Sequence, residues 1–148
     1  MRAVVQRVST AKVECDGRTV GAIERGLMAL ACVEVGDTAA QRAWMADKLV
    51  NLRIFPDAEG KMNLSVKDVS GSVLLVSNFT VAGDCRSGRR PGFDRAMKPP
   101  EAKTEFDLLL AAVRAHGVPV ETGVFGGDMA ITIVNDGPVT LIVETPRP

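Results

Sequence analysis

A single histidine, His116, and three cysteines, Cys15, Cys32 and Cys85, are all that this 148-residue chain offers to imidazole or thiol chemistry. The cysteines are odd in number, far apart and without a C-x-x-C spacing, so neither a disulfide framework nor a zinc site is indicated. All three are expected as reduced thiols, with Cys32 in the core. His116 falls at the end of a predicted helix and precedes Gly117, where an imidazole interacts favourably with the helix C-terminus. A Ser-His-Asp or Cys-His relay would need that one ring to reach a nucleophile from there. The sequence has no H-E-x-x-H, no phosphate-binding glycine loop ending in Lys-Ser/Thr and no dinucleotide fingerprint. Metal, nucleotide and hydride chemistry therefore find no support, and neither a metal nor a cofactor is expected. No apolar run approaches the ~20 residues of a membrane span. The opening MRAVVQRVSTAKVE lacks the continuous apolar stretch of a secretory signal, so the cytoplasm is the expected compartment.

Net charge is absent as well. Eighteen basic residues balance eighteen acidic ones, so a nucleic-acid partner would have to be held by a local patch. Residues 85–98, CRSGRRPGFDRAMK, supply one: Arg86, Arg89, Arg90, Arg95 and Lys98 stand against a single acid, Asp94. Two readings are open, a solvated loop or a set of guanidinium forks for phosphate.

What is present is ordinary globular material, 46% hydrophobic and 24% charged, enough for one domain over residues 1–148 with one core. Residues 2–9 and 11–24 read as paired strands turning at Asp16-Gly17. Residues 27–35 read as a central strand covered on both faces. A helix follows, capped by Asp37 or Thr38, with Trp44, Met45, Leu49 and Leu52 on its apolar side. After a polar turn at 57–60, residues 72–83 read as another buried strand. Pro99-Pro100-Glu101 opens a second helix that buries Ala102, Phe106, Leu109, Leu110 and Val113, with Gly117 just past its end. Strands near 118–124, 128–134 and 139–144 complete an order of about β-β-β-α-β-α-β-β-β, without repeats or linker. The fold class expected is α+β, a largely antiparallel sheet with barrel-like β layers and two helices on one side.

Three stretches break this regularity. Ser77-Asn78-Phe79-Thr80 places polar groups inside an apolar strand, where each buried unsatisfied group costs ~1–3 kcal/mol; the strand either reaches the surface there or the groups serve a site. Strand alternation would turn Ser77 and Phe79 one way and Asn78 and Thr80 the other. In Thr122-Gly123-Val124-Phe125-Gly126-Gly127-Asp128-Met129, glycines on both sides of Phe125 permit close approach by a ligand or by another strand. Asn135-Asp136-Gly137 is a strong hairpin signal. Pro138 complicates it, because an X-Pro bond can be cis within a tight turn.

Taken together, MRAVVQRV, NLRIFPDAEGKMNLSV, SNFT, SGRRPGF, GVFGGDM and NDGPVT, in this order over nearly the whole chain, resemble the D-aminoacyl-tRNA deacylases. The resemblance implies a homodimer that hydrolyses the ester between a D-amino acid and the terminal adenosine of tRNA, and also cleaves glycyl-tRNA. It implies that Gly137-Pro138 is a cis peptide whose tip enters the partner subunit's site, with backbone carbonyls aimed at the substrate's α-amino group. Ser77, Phe79 and Thr80 then match the family's catalytic S-x-F-T motif, with Phe79 near the adenine and main-chain amides of Phe79 and Thr80 suited to an oxyanion. Phe125, Met129 and Asn78 join Gly137 and Pro138 as substrate-binding residues, and Arg86, Arg89 and Arg90 become candidates for the tRNA. Asn78 stands where the family usually has glutamine, one methylene longer. Two mechanisms accompany the resemblance: Thr80 as nucleophile, or water attacking with help from the RNA 2′-hydroxyl. The second suits a histidine-poor site. A non-catalytic tRNA-binding dimer, and a small-molecule hydrolase using His116 as base, are the competing readings.

Overall fold

The computed structural model describes residues 1–147. Its spine is β1 (Arg2–Cys15). Along one edge β1 pairs antiparallel with β3 (Gly26–Cys32) and then with β2 (Arg18–Ile23); along the other it pairs antiparallel with β8 (Met129–Glu144). Beyond β3 the sheet changes character, because β6 (Ser72–Ser77) lies parallel to β3 and β7 (Val120–Thr122) parallel to β6. Parallel neighbours need long crossovers, and the two helices are those crossovers: α1 (Ala39–Asn51) lies between β3 and β6, and α2 (Glu101–Arg114) between β6 and β7. The class is the expected α+β with two helices, but the sheet is mixed. It also nearly closes: a Cβ on Gly21 of β2 would stand 2.4 Å from the Thr122 carbonyl oxygen of β7. A small hairpin, β4 (Phe55–Pro56) with β5 (Met62–Leu64), brackets the polar turn at 57–60.

Each face of the sheet has its own core. Ala3, Val5, Leu27, Ala29, Val73 and Leu75 meet Met45 and Leu49 of α1 and Phe106, Leu109 and Val113 of α2. On the opposite face Val8, Ala11, Val13, Met28, Leu74 and Val76 gather with Met129, Ile131 and Ile133 inside the curl of the sheet. Strand alternation puts Val8 opposite Val5; Ala11 and Val13 keep Val8's side only because the register slips between Val8 and Thr10. Thr38 is the cap of α1: its hydroxyl accepts the Ala40 N–H at 3.2 Å, and Gln41 completes a capping box. Asp37 is not a cap; its carboxylate accepts the Glu34 N–H at 2.7 Å. Gly117 follows α2 at φ +79°, as a C-terminal glycine should. Cys32 is buried, and that burial pushes its thiol up to about 11. Among the described residues no helix is long and apolar enough to cross a membrane.

Two expectations about strands fail, both in informative places. Residues 72–83 are not one strand: β6 ends at Ser77 and a 3-10 turn, Phe79–Ala82, takes over. The separate strands near 128–134 and 139–144 are one strand, β8, so Asn135-Asp136-Gly137 is no hairpin turn. β1 runs alongside both halves, with Val8 opposite Asn135 and Gln6 opposite Thr140. Two steps along β1 thus span five along β8, and the surplus is extruded as an elbow.

Candidate functional site

β6 releases its partner at Ser77, and Asn78 converts the strand end into a turn. With extended backbone (φ −147°), Asn78 acts as an N-cap: its Oδ1 accepts the Thr80 N–H at 3.1 Å and the Thr80 hydroxyl at 2.6 Å. The alternation expected for Ser77 to Thr80 therefore does not apply. The Thr80 amide and hydroxyl are both engaged locally, whereas the Phe79 N–H has no acceptor among the described residues. The Phe79 ring is 57% exposed and meets Phe93 edge-on, centroids 5.1 Å apart.

Ser77, Asn78 and Phe79 form one wall of a cleft of about 310 Å³, and Gly126, Gly127, Asp128 and Met129 form the other. Topology brings them together. β7 lies against β6, and Thr122 donates its hydroxyl to the Leu75 carbonyl at 2.7 Å. The glycine segment then carries the chain from β7 into β8. Gly123 matters here because a Cβ would stand 2.6 Å from the Met129 Sδ. Without one, the thioether folds in and accepts the Val124 N–H at 3.4 Å. Of the expected site residues, Thr80 does not line this cleft, and neither does Phe125, whose ring packs on Phe106 of α2 with centroids 6.3 Å apart.

Gly137 and Pro138, joined by a cis peptide, are exposed at the tip of the β8 elbow and do not line the cleft of their own chain. Asn135 staples the base of this elbow. Its Oδ1 accepts the Val139 N–H at 2.8 Å, and its Nδ2 donates to the Val139 carbonyl at 3.1 Å. Arg7, the β1 residue between the two registers, holds the elbow from outside. It donates from Nε to the Asp136 carbonyl at 2.8 Å and from Nη1 to the Ile54 carbonyl at 2.7 Å. Sequence points to Asn135 only as part of a hairpin signal and does not point to Arg7, whose one available sign is a charge inside the apolar alternation of VVQRV.

The basic segment forms a loop closed at its neck by paired main-chain bonds between Asp84 and Gly92. Arg86 is exposed but paired within the loop. Its Nε donates to Asp84 Oδ1 at 2.9 Å, and its hydrogen bonds hold the Asp84 carboxyl well below the usual carboxylate range. Arg95 pairs with the buried Glu34 at 2.8 Å. Arg89 and Arg90 remain exposed, without an ion pair among the described residues. His116 lies elsewhere, lining a separate hollow with Lys67 and Ser70.

These features define a class of site: an α+β domain whose cleft presents an aromatic face and main-chain donors, with no histidine or lysine in its lining. Residues 4–144 match the model of the D-Tyr-tRNA(Tyr) deacylase family, and the chain belongs to that family. A relative from Geotalea uraniireducens, described as D-aminoacyl-tRNA deacylase, is 54% identical over 147 residues, covering 99% of this chain and 95% of the relative. One from Geobacter sulfurreducens, described in the same words, is 55% identical over 145 residues, covering 98% and 95%. Among solved structures, the c-Myc DNA Unwinding Element Binding Protein is similar with a TM-score of 0.94 at 37% identity, covering 99% of this chain and 100% of its own. A probable eukaryotic D-amino acid tRNA deacylase shares the fold, with a TM-score of 0.80 at 18% identity over 96% of this chain and 97% of that one.

Proposed function

We propose that this chain hydrolyses the ester joining a D-amino acid to the 3′-terminal adenosine of tRNA, and likewise glycyl-tRNA, releasing the amino acid and tRNA. The observation that carries the reading is the meeting of Ser77 to Phe79 with Gly126 to Met129 in one cleft, in a chain matched to the deacylase family from residue 4 to 144. In this reading the Phe79 ring takes the terminal base. The unengaged Phe79 N–H supports the oxyanion formed when water attacks the ester carbonyl, and the adjacent 2′-hydroxyl of the RNA assists that water. As the ester C–O bond breaks, the ribose oxygen takes one proton of the attacking water, the other passes to solvent, and the amino acid leaves as its carboxylate. Thr80 lines no part of the cleft, its hydroxyl is held by Asn78, and an amide is no base for it. Such an enzyme works where tRNA is charged, in the cytoplasm.

Chirality is read by the Gly137-Pro138 elbow, which serves the cleft of a second copy in a homodimer. Two observations support this: the elbow is exposed and away from its own cleft, and β8 leaves a long edge unpaired beside exposed Val134, Leu141 and Ile142. Such an edge invites pairing with another chain. Main-chain carbonyls holding the α-amino group, with the ester fixed at the other end, leave only the side-chain direction to tell enantiomers apart. Each ~1.4 kcal/mol of clash with an L side chain gives about tenfold selectivity, and glycine has nothing to clash.

Incubating the purified protein with matched D-tyrosyl-, L-tyrosyl- and glycyl-tRNA tests the proposal. The D and glycyl esters should be cleaved and the L ester retained; equal rates for both enantiomers, or an untouched D ester, would remove it. A second reading, a non-catalytic nucleic-acid-binding dimer, draws on exposed Arg89 and Arg90 and on the similarity to a protein described as binding a DNA unwinding element. It requires tRNA binding that falls steeply with salt while D-tyrosyl-tRNA stays intact.

A further inference from the structure

Phe79 is an exposed aromatic ring on a four-residue turn, a poor foundation for orienting anything. Its aromatic partner is Phe93, 5.1 Å away with ring planes at 77°. An edge-to-face contact leaves a face of the Phe79 ring free, and a free aromatic face is what a nucleobase stacks on. Phe93 itself is firmly placed. It follows Gly92, whose N–H donates to the Asp84 carbonyl at 2.9 Å, and its own carbonyl accepts the Ala96 N–H at 3.0 Å. Gly83 lets it close in, since a Cβ there would stand 3.2 Å from the Phe93 Cε1. Neither ring belongs to any of the three apolar clusters of the fold. The contact thus contributes little to the core, and its consequence lies at the cleft.

We propose that Phe93 is a positioning residue for base recognition, holding the Phe79 ring so that its free face stacks on the 3′-terminal base of the substrate. The inference rests on the hydrolase reading above. It assigns a role to the loop beyond charge: the neck of the arginine loop carries the support for the base platform.

The test compares wild type, Phe93→Leu and Phe93→Tyr on two soluble esters of D-tyrosine, one with adenosine and one with a ribose that carries a methoxy group in place of the base. Thermal melts accompany the kinetics to confirm folding. With the adenosine ester, Phe93→Leu should raise KM about five- to tenfold with kcat within twofold, the scale of a lost stacking contact. Phe93→Tyr, which keeps the ring, should stay within twofold of wild type. With the baseless ester all three proteins should share one KM. An unchanged KM in Phe93→Leu, an equal rise on both esters, or a tyrosine variant as weak as the leucine one would overturn the proposal while leaving the hydrolase reading intact. A wild-type protein that cleaves neither ester nor D-tyrosyl-tRNA would overturn both.

Discussion

The two places where the sheet loses regularity are built on opposite plans. At the end of β6 the turn is shaped by its own side chain: Asn78 satisfies the Thr80 amide two residues on, and the one distant bond, from the Asn78 N–H to the Ala31 carbonyl at 2.9 Å, only carries the β3–β6 pairing one residue further. At the β8 elbow the local staple, Asn135 to Val139, closes only the base, and the tip depends on Arg7, 129 residues away in sequence. Arg7 also reaches the Ile54 carbonyl and so ties the elbow to the segment leading into β4. A self-capped turn fails gently when a side chain is cut, because its backbone keeps other bonds. An element held by one remote guanidinium fails as a unit. The two corners should therefore respond very differently to equally small substitutions.

The largest effect is expected at Arg7. Hydrogen bonds from charged donors contribute roughly 1.5–3 kcal/mol each, and Arg7→Met removes two of them while keeping an unbranched apolar stem along the strand. Denaturant unfolding should show a loss of about 3 kcal/mol, the low end of the two-bond sum because the bond to Asp136 is exposed. Hydrolysis of D-tyrosyl-tRNA should fall at least tenfold in kcat/KM, because the elbow that fixes the α-amino group loses its outside support. If the variant folds with wild-type stability and retains full D-selective activity, the elbow is held by Asn135 alone and the contrast between the corners disappears.

How far these corners were legible in sequence follows from the range of the interactions that make them. The Asp16-Gly17 turn, the α1 cap at Thr38 and the Gly117 terminus were readable because each is decided within four residues. The cores of α1 and α2 were readable from their periodicity. The end of β6 is hidden because SVLLVSNFTVAG keeps strand-like composition past Ser77, where the Asn78 side chain caps a turn instead. The elbow is hidden more deeply. Asn-Asp-Gly does favour a turn, but β1 is long enough to pair with both flanking segments, and a partner strand overrides local turn preference. The glycines around Phe125 permit close approach by a ligand or by another element without saying which, and only the fold shows that its ring meets Phe106 of α2. The pairing of Arg86 with Asp84, two residues before it, depends on the turn that brings the two side chains together. The role of Arg7 had no local signature at all.

A middle-sized effect is expected from Asn78→Ala. Removing an N-cap side chain costs ~0.5–2 kcal/mol, but the turn keeps its main-chain bonds from Val81 to Asn78 and from Gly83 to Thr80. A stability loss of about 1 kcal/mol should accompany a few-fold rise in KM as the turn carrying Phe79 loosens, with kcat little changed. A loss in unfolding free energy matching that of Arg7→Met would mean that the β6 corner, too, is held from outside.

The smallest effect belongs to Thr80→Ala, and it bears most directly on the chemistry. Removing the hydroxyl leaves the residue-80 N–H to Asn78 Oδ1, the bond that shapes the turn, so the cap persists. A threonine nucleophile needs a base to take its proton, whereas Asn78 offers an amide oxygen and the cleft lining holds no histidine or lysine. The variant should keep kcat within a few-fold on D-tyrosyl-tRNA, and D-tyrosyl-tRNA ending in 2′-deoxyadenosine should be cleaved far more slowly by both proteins. Complete loss of turnover in a folded Thr80→Ala protein that still binds substrate would put the hydroxyl into the reaction. The self-capped turn would then be part of the chemistry rather than the frame around it.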